Sequence, residues 1–308
     1  MTAEARTAVV VIGNIGIDTN VFLQGDMIDL VHESNYTCNL DTIGQAGGYA
    51  SMGYARLGVP TAFIGYVGAD PMGDFIRDAL ASEKIDTSAL FVDPQGTSRS
   101  INLVLADGSR RNFYDGKSHM ELEPPLQPCL NRLRNARLAH FNIPNWARRL
   151  LAPAQELGVT IACDLQDVMD LADLYRMDFV RAADYLFFSA VNHPHPASHI
   201  HAYLDLNPGL TILATMGARG VALADASGIT NFAALELDLP LVDTSGAGDA
   251  FASGFLVSRV LEGRELEASV MRGQICARYK CAQRSTSANM ITPELLDHYL
   301  QILTGPTL

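Results

Sequence analysis

The sequence predicts an α/β protein: a three-layer αβα body with a mostly parallel central sheet and a small β-lid beside it. Three observations carry this reading. Short aliphatic runs alternate with amphipathic stretches along the chain, which calls for a sheet covered by helices on both faces. Hydrophobic residues make up 48% of the 308 residues, with a single Trp, so the core is large and mainly aliphatic. Two early segments, Asn20–Ile43 and Gln95–Ser118, break the alternation with polar, alternating strands and no helical period.

In chain order, Val9–Ile12, Thr61–Tyr66, Leu138–Asn142, Val159–Cys163, Tyr185–Phe188 and Thr211–Thr215 are short, largely apolar runs, as expected of strands buried on both faces. Between them, Gly48–Leu57, Met72–Glu83, Asn145–Leu157 and Leu171–Ala183 carry helical spacing. Within the lid, Ser100–Leu105 and Arg111–Tyr114 flank Asp107-Gly108, a hairpin signal. Glu121–Pro128 then leads back to the main body. The whole chain, 1–308, reads as one domain, with lid segments at about 20–43 and 95–118.

The formal net charge of -12 opposes nucleic acid or an anionic membrane as a main partner, because both would repel it. Cys38, Cys129, Cys163, Cys276 and Cys281 form an odd set without CxxC spacing, the usage of reduced thiols. No apolar stretch is long enough to span a bilayer, and residues 1–6 lack the basic-then-apolar order of a leader. A cytoplasmic location is the expectation.

The chemistry concentrates in Asp243–Phe255, DTSGAGDAFASGF. A turn of small residues runs into a helix whose apolar positions include Phe251, Phe255 and Leu256. Unpaired N–H groups at a helix start carry partial positive charge and bind anions. Gly246 and Gly248 let an anion approach without a Cβ in the way. Asp249 alone would serve equally well as a helix cap. Bare amides of Gly246, Ala247 and Gly248 joined to one carboxylate are what phosphoryl transfer needs. The amides stabilise the transferring group, and Asp249 takes the proton of the attacking hydroxyl.

This segment resembles the C-terminal signature of the PfkB/ribokinase family of carbohydrate kinases, and the likeness extends from Val9 to the helix at Pro293–Leu303. It implies a ribokinase-like fold, ATP as donor, Mg²⁺ bridging its phosphates, and a small sugar, sugar acid or nucleoside as acceptor. Val9–Asp18 is similar to the family's opening strand, which assigns Asn14 and Asp18 to acceptor hydroxyls. Gly44–Gly58 with Val67–Gly73 resembles the N-terminal signature, which assigns Gly44, Gly47 and Gly48 to the acceptor loop. Thr215, Gly217 and Gly220 match a TxGxxG turn beside the nucleotide, and Asn192 and Gln274 fall at further nucleotide positions.

The sequence departs from the family at three places. Gln45 stands where a double glycine would end, Tyr49 where an Asn is usual, and His195 where an NxxE motif has its glutamate. Imidazole does not replace carboxylate for a hard cation. Magnesium is therefore held by phosphates and water with less help from the protein, or another acid contributes, Asp164 and Asp243 being candidates. His193, His195, His199 and His201 also suit a transition metal, but their proline-rich setting favours a solvated turn.

Gly13-Asn14-Ile15-Gly16 lacks the glycines of a dinucleotide fingerprint, and Gly116-Lys117-Ser118 lacks the first glycine and following helix of a P-loop. A nucleoside kinase on the same scaffold and a non-catalytic ligand sensor are the alternatives. An uncovered lid edge would suit a homodimer.

Overall fold

The computed structural model describes residues 7–24, 28–29, 31–105, 110–168, 173–193, 195–284 and 287–305. In chain order its strands and helices are β1 (Val9–Ile12), β2 (Gly16–Leu23), β3 (Thr37–Gly44), α1 (Gln45–Arg56), β4 (Thr61–Val67), α2 (Pro71–Ser82), β5 (Asp86–Val92), β6 (Arg99–Val104), β7 (Arg110–Asp115), α3 (Leu126–Leu133), β8 (Leu138–Phe141) and α4 (Leu151–Glu156). There follow β9 (Thr160–Asp167), α5 (Leu174–Ala182), β10 (Tyr185–Ser189), α6 (Ala197–Leu206), β11 (Thr211–Thr215), β12 (Val221–Asp225), β13 (Gly228–Phe232), α7 (Ala247–Leu256), α8 (Leu266–Cys281) and α9 (Pro293–Thr304).

Nine strands form one sheet in the order β13-β12-β11-β10-β9-β8-β1-β4-β5. Every pairing from β5 to β11 is parallel, and only β12 and β13 run antiparallel at one edge. The expected three-layer fold is therefore present. β1 lies between β4 and β8, so the chain order reverses beside it. Ligands of such sheets bind beyond the carboxyl ends of the strands, at a reversal of this kind.

The period-two alternation of a strand sends successive side chains of β1 into different layers. Val9 and Val11 join the core with α1, α7, α8 and α9, whereas Val10 and Ile12 join the core with α3, α4, α5 and α6. Both faces being covered explains why these strands read as unbroken apolar runs. Phe251 and Phe255 of α7 pack on Phe187 of β10, with ring centroids 6.2 and 5.8 Å apart. Each ring contributes about 1.5–3 kcal/mol on burial, and together they fix the helix that carries Asp249.

Helix starts follow the sequence. Asp70 caps α2 by accepting from Gly73 N at 2.9 Å, with Pro71 at the first helical position. Its other carboxylate oxygen accepts from Thr97 N at 2.7 Å, so the VGxDxxG segment is a structural clamp. Thr292 and Pro293 begin α9 in the same way. The single helix expected over Asn145–Leu157 is divided: Asn145–Leu150 is a 3₁₀ segment preceding α4. Pro153, which lacks an N–H, sits in the first turn of α4, where that loss costs least.

A second sheet, order β3-β2-β6-β7, stands apart from the first. Its strands fall within the polar segments read from the sequence, except that β2 begins earlier, at Gly16, where Ile17 is buried, and β3 runs one residue further, to Gly44. β6 and β7 pair antiparallel, and the Asp107-Gly108 turn between them lies outside the described residues. In-register neighbours give this sheet polar rows: Asp18 beside Thr42 and Ser100, and Asn20 beside Asn102, which pairs with Asn112. Asn112 donates to Asn102 at 2.8 Å and Asn102 to Asn20 at 3.1 Å.

Candidate active site

The site begins at α7. Gly246 precedes the helix with φ of 74°, the left-handed conformation that glycine adopts without strain. A Cβ there would lie 2.3 Å from the Tyr49 ring, so glycine is also required for packing. Ala247 opens the helix, and Gly248 faces open space, with nothing within 4 Å of a would-be Cβ. Asp249 follows in the first turn, where α7 has no side-chain cap. The helix start has no side-chain cap and opens on empty space at Gly248, but not all three amides expected to be bare are so: Ala247 N donates to the Thr244 carbonyl at 3.2 Å.

Asp249 keeps part of its surface open to solvent, yet its carboxyl is ringed by protein. Burial holds its pKa well above the usual carboxylate range, reinforced by the charges of Asp164 and Asp18 and opposed by Lys280. Asp164, buried near the end of β9, is itself pushed up to about 6 by burial, although Gln166 N donates to it at 2.8 Å. Three acidic side chains from β2, β9 and α7 thus converge within electrostatic range. Each of these charges disfavours ionisation of the others.

Asp18 lies against Gly44: a Cβ at Gly44 would come within 2.0 Å of its Oδ2. Gly47 and Gly48, in the first turn of α1, pack on the Asn14 carbonyl and on Ile15. Asn14 donates its side-chain amide to the Tyr114 hydroxyl at 2.8 Å, linking the loop after β1 to β7. The predicted acceptor residues therefore gather between the carboxyl end of β1 and the second sheet, on the side of Asp249. Arg284 stacks on Phe22 of β2, 4.1 Å from the ring centroid, and Ser287 donates to the Ile43 carbonyl at 2.7 Å. These contacts join the segment after α8 to the second sheet.

The residues expected on the nucleotide side follow the neighbouring strand ends. Thr215 ends β11, and Gly217 and Gly220 bracket a 3₁₀ turn with φ of 59° and 91°. Asn192, on the turn after β10, donates to Asp167 Oδ2 at 2.9 Å. Gln274, buried in α8, donates to the Ala233 carbonyl at 2.8 Å and so tethers the segment that leaves β13.

Two groups beyond those read from the sequence belong to this region. Asp167 places a carboxylate beside Asn192 where the NxxE glutamate is missing. Asn142, just past β8, is fully buried with neither end of its amide bonded, and its side chain lies over Gly13. Only the parallel register of β8, β9 and β10 brings either one to the site. The His193 and His199 rings meet at a tilt of 48° with centroids 4.4 Å apart, and among the described residues no three His, Cys, Asp or Glu are grouped to hold a metal. Among the same residues no helix is long and apolar enough to cross a membrane.

Comparison with known proteins agrees with this geometry. The pfkB family carbohydrate kinase model matches residues 7–293. An acarbose 7(IV)-phosphotransferase of Actinoplanes sp. is 29% identical over 93% of this chain and 96% of its own. A fructokinase of Salmonella typhimurium is 25% identical over 88% and 94%. The solved structure of a microbiome-derived acarbose kinase superposes with a TM-score of 0.87 at 25% identity, covering 96% of this chain and 99% of that one. An Arabidopsis thaliana ribokinase solved with ribose and ATP superposes at 0.81, at 18% identity and over 96% and 99% of the two chains. With its fold and nearly its whole length matched, the chain belongs to the pfkB family of carbohydrate kinases and is an ATP-dependent sugar-phosphorylating kinase.

Proposed function

We propose that Asp249 is the general base of this kinase, taking the proton from an acceptor hydroxyl as the oxygen attacks the γ-phosphorus of ATP. The carrying observation is the pairing of a deep carboxylate at the first turn of α7 with the open space at Gly248. Amides 246–248 stabilise the charge that develops on the transferring phosphoryl group. Asp18 and Asn14 orient the acceptor, since a carboxylate accepts from two hydroxyls and an amide both donates and accepts.

The second sheet acts as the lid: its strands bring Asp18 to Asp249, and closure excludes water that would otherwise hydrolyse ATP. Thr215, Gly217, Gly220 and Asn192 line the nucleotide side, while Gln274 shapes it through Ala233. Bound Mg²⁺ would neutralise charge between the β- and γ-phosphates. The donor set fits an ion that takes one or two carboxylates and otherwise phosphates and water, with Asp167 as the protein carboxylate oriented by Asn192.

The Asp18, Thr42 and Ser100 row of the lid suits a polyhydroxyl acceptor, and Tyr114, in register with Ser100, offers a ring face to a sugar or a base alike. Of the rival readings, the intact Asp249 arrangement speaks against a sensor. The test is product formation from ATP with a panel of sugars and nucleosides, followed by mass spectrometry. Acarbose heads the panel because the relatives of that name match most of the chain. Transfer to a sugar is the expected result. Transfer to nucleosides alone would establish the rival acceptor, and no transfer to any member would overturn the reading.

A further inference from the structure

Lys280, the penultimate residue of α8, is fully buried, and its Nζ has no hydrogen-bond partner. An ammonium group stripped of water is costly. Burial pushes its pKa down, while Asp243, Cys281 and Asp249 push back, in that order. The cost is not a stability device, because buried charges are often replaced by apolar residues with no loss of stability.

Its position suggests what the cost serves. The Nζ lies 5.5 Å from the centroid of the Tyr49 ring, and the same ring packs on Gly246. The next residue, Cys281, accepts at its carbonyl from Val242 N at 2.8 Å and Asp243 N at 3.1 Å. Ser245 N in turn donates to Asp243 at 2.9 Å. The end of α8 therefore fastens the loop that starts at Asp243, with the ammonium set behind it. The groups facing Asp249 are Asp164 from β9, Asp18 from β2, Tyr54 from α1 and Lys280 from α8, and of these only Lys280 is basic.

We propose that Lys280 is a fixed cation of the phosphoryl-transfer centre, adding positive potential behind loop 243–248. It is a positioning residue, acting through the loop and through Asp249 without touching substrate. Tyr49, at the departure from the family pattern, is then the face on which this cation rests, a cation–π contact strengthened by the absence of water. The inference rests on the phosphotransferase reading above.

Lys280→Met, nearly equal in volume and uncharged, tests it against the wild type. We expect the ATP dissociation constant from calorimetry to rise roughly tenfold, the scale of one charge acting at short range through protein. With the best acceptor, kcat falls ten- to a hundredfold, acceptor KM stays within twofold, and the acid limb of the kcat–pH profile moves to higher pH. Thermal stability is unchanged or higher. ATP affinity and kcat within twofold of wild type, with the acid limb unmoved, would overturn the proposal. If Lys280→Met does not fold, Lys280→Ala is purified in methylammonium. Activity that saturates with methylammonium and ignores tetramethylammonium supports the proposal, and indifference to both overturns it. A wild type that phosphorylates no acceptor would defeat the functional reading, while the ATP affinities would still judge Lys280.

Discussion

Asn192 holds Asp167 at 2.9 Å across the adjoining ends of β10 and β9. The pairing gives the nucleotide side a carboxylate although His195 occupies the glutamate position of the NxxE motif. Asp167→Asn is therefore expected to raise the Mg²⁺ concentration for half-maximal rate by about tenfold, one charge-assisted contact in scale, with thermal stability unchanged because Asp167 is exposed. A Mg²⁺ titration of the initial rate checks it. His195→Glu, by contrast, should leave the titration the same or move it to lower Mg²⁺.

Asp249→Asn separates a catalytic base from a helix cap. The amide still fits the first turn of α7 but cannot take a proton, so kcat should fall by about 10²–10⁴-fold while nucleotide affinity is kept. Removing a crowded buried carboxylate should also raise the melting temperature. Near wild-type kcat would reduce Asp249 to a cap. Gly248→Val supplies the contrast. Its side chain enters empty space, so stability changes little, whereas ATP affinity drops because the new side chain fills the room left for phosphates.

Asp164 gives the pH prediction. Its folded pKa, near 6, is raised above the ordinary carboxylate value by burial. The stability it confers is present below about pH 4 and lost as the pH rises through about 6. Asp164→Asn should therefore raise the melting temperature at pH 8 relative to wild type and leave it nearly equal at pH 4. Removing its charge also lowers the pKa of Asp249, so the acid limb of the rate profile should move to lower pH. Melting curves at the two pH values and the kcat–pH profile test both parts.

Gln45 adopts φ of 61° at the start of α1, a conformation that glycine reaches without strain. The position where relatives carry a second glycine is thus the one whose backbone requires it. Ser98 donates to the Ile15 carbonyl at 3.0 Å and lies 3.1 Å from the Gln45 amide, contacts that offset part of the strain. Gln45→Gly is expected to change unfolding free energy by less than about 1 kcal/mol, relief of backbone strain opposing the lost contact. Chemical denaturation measures it. A loss above about 2 kcal/mol would show that the side-chain contact dominates.

Much of the fold was legible because its signals are local. Apolar runs mark the sheet, and the segment 243–255 spells out a small-residue turn, a helix start and an acid within one turn of each other. The register of β8, β9 and β10 is not written in any short window, so Asn142 and Asp167 are invisible until neighbouring strands are aligned. Lys280 reads as an ordinary basic residue in the last turn of a helix. Its burial follows from how α8 packs on α7 and α1. Gln45 and Tyr49 stood out as departures, and only their contacts show what each does. The division of Asn145–Leu157 was missed because helical spacing does not distinguish a 3₁₀ turn from an α-turn.

The interior place of β1 bears on how the chain matures. β1 needs Thr61–Ile64 on one side and Leu138–Phe141 on the other, and Ile17 in β2 waits for Arg99. Pairings between such distant positions are slow to form, and they leave apolar edges uncovered meanwhile. Asp249 and Lys280 emerge after every strand of the main sheet. The face of the sheet that carries Val9 and Val11 is covered by α7, α8 and α9, so the cover of that face and the residues of the candidate site arrive together, after every strand beneath them.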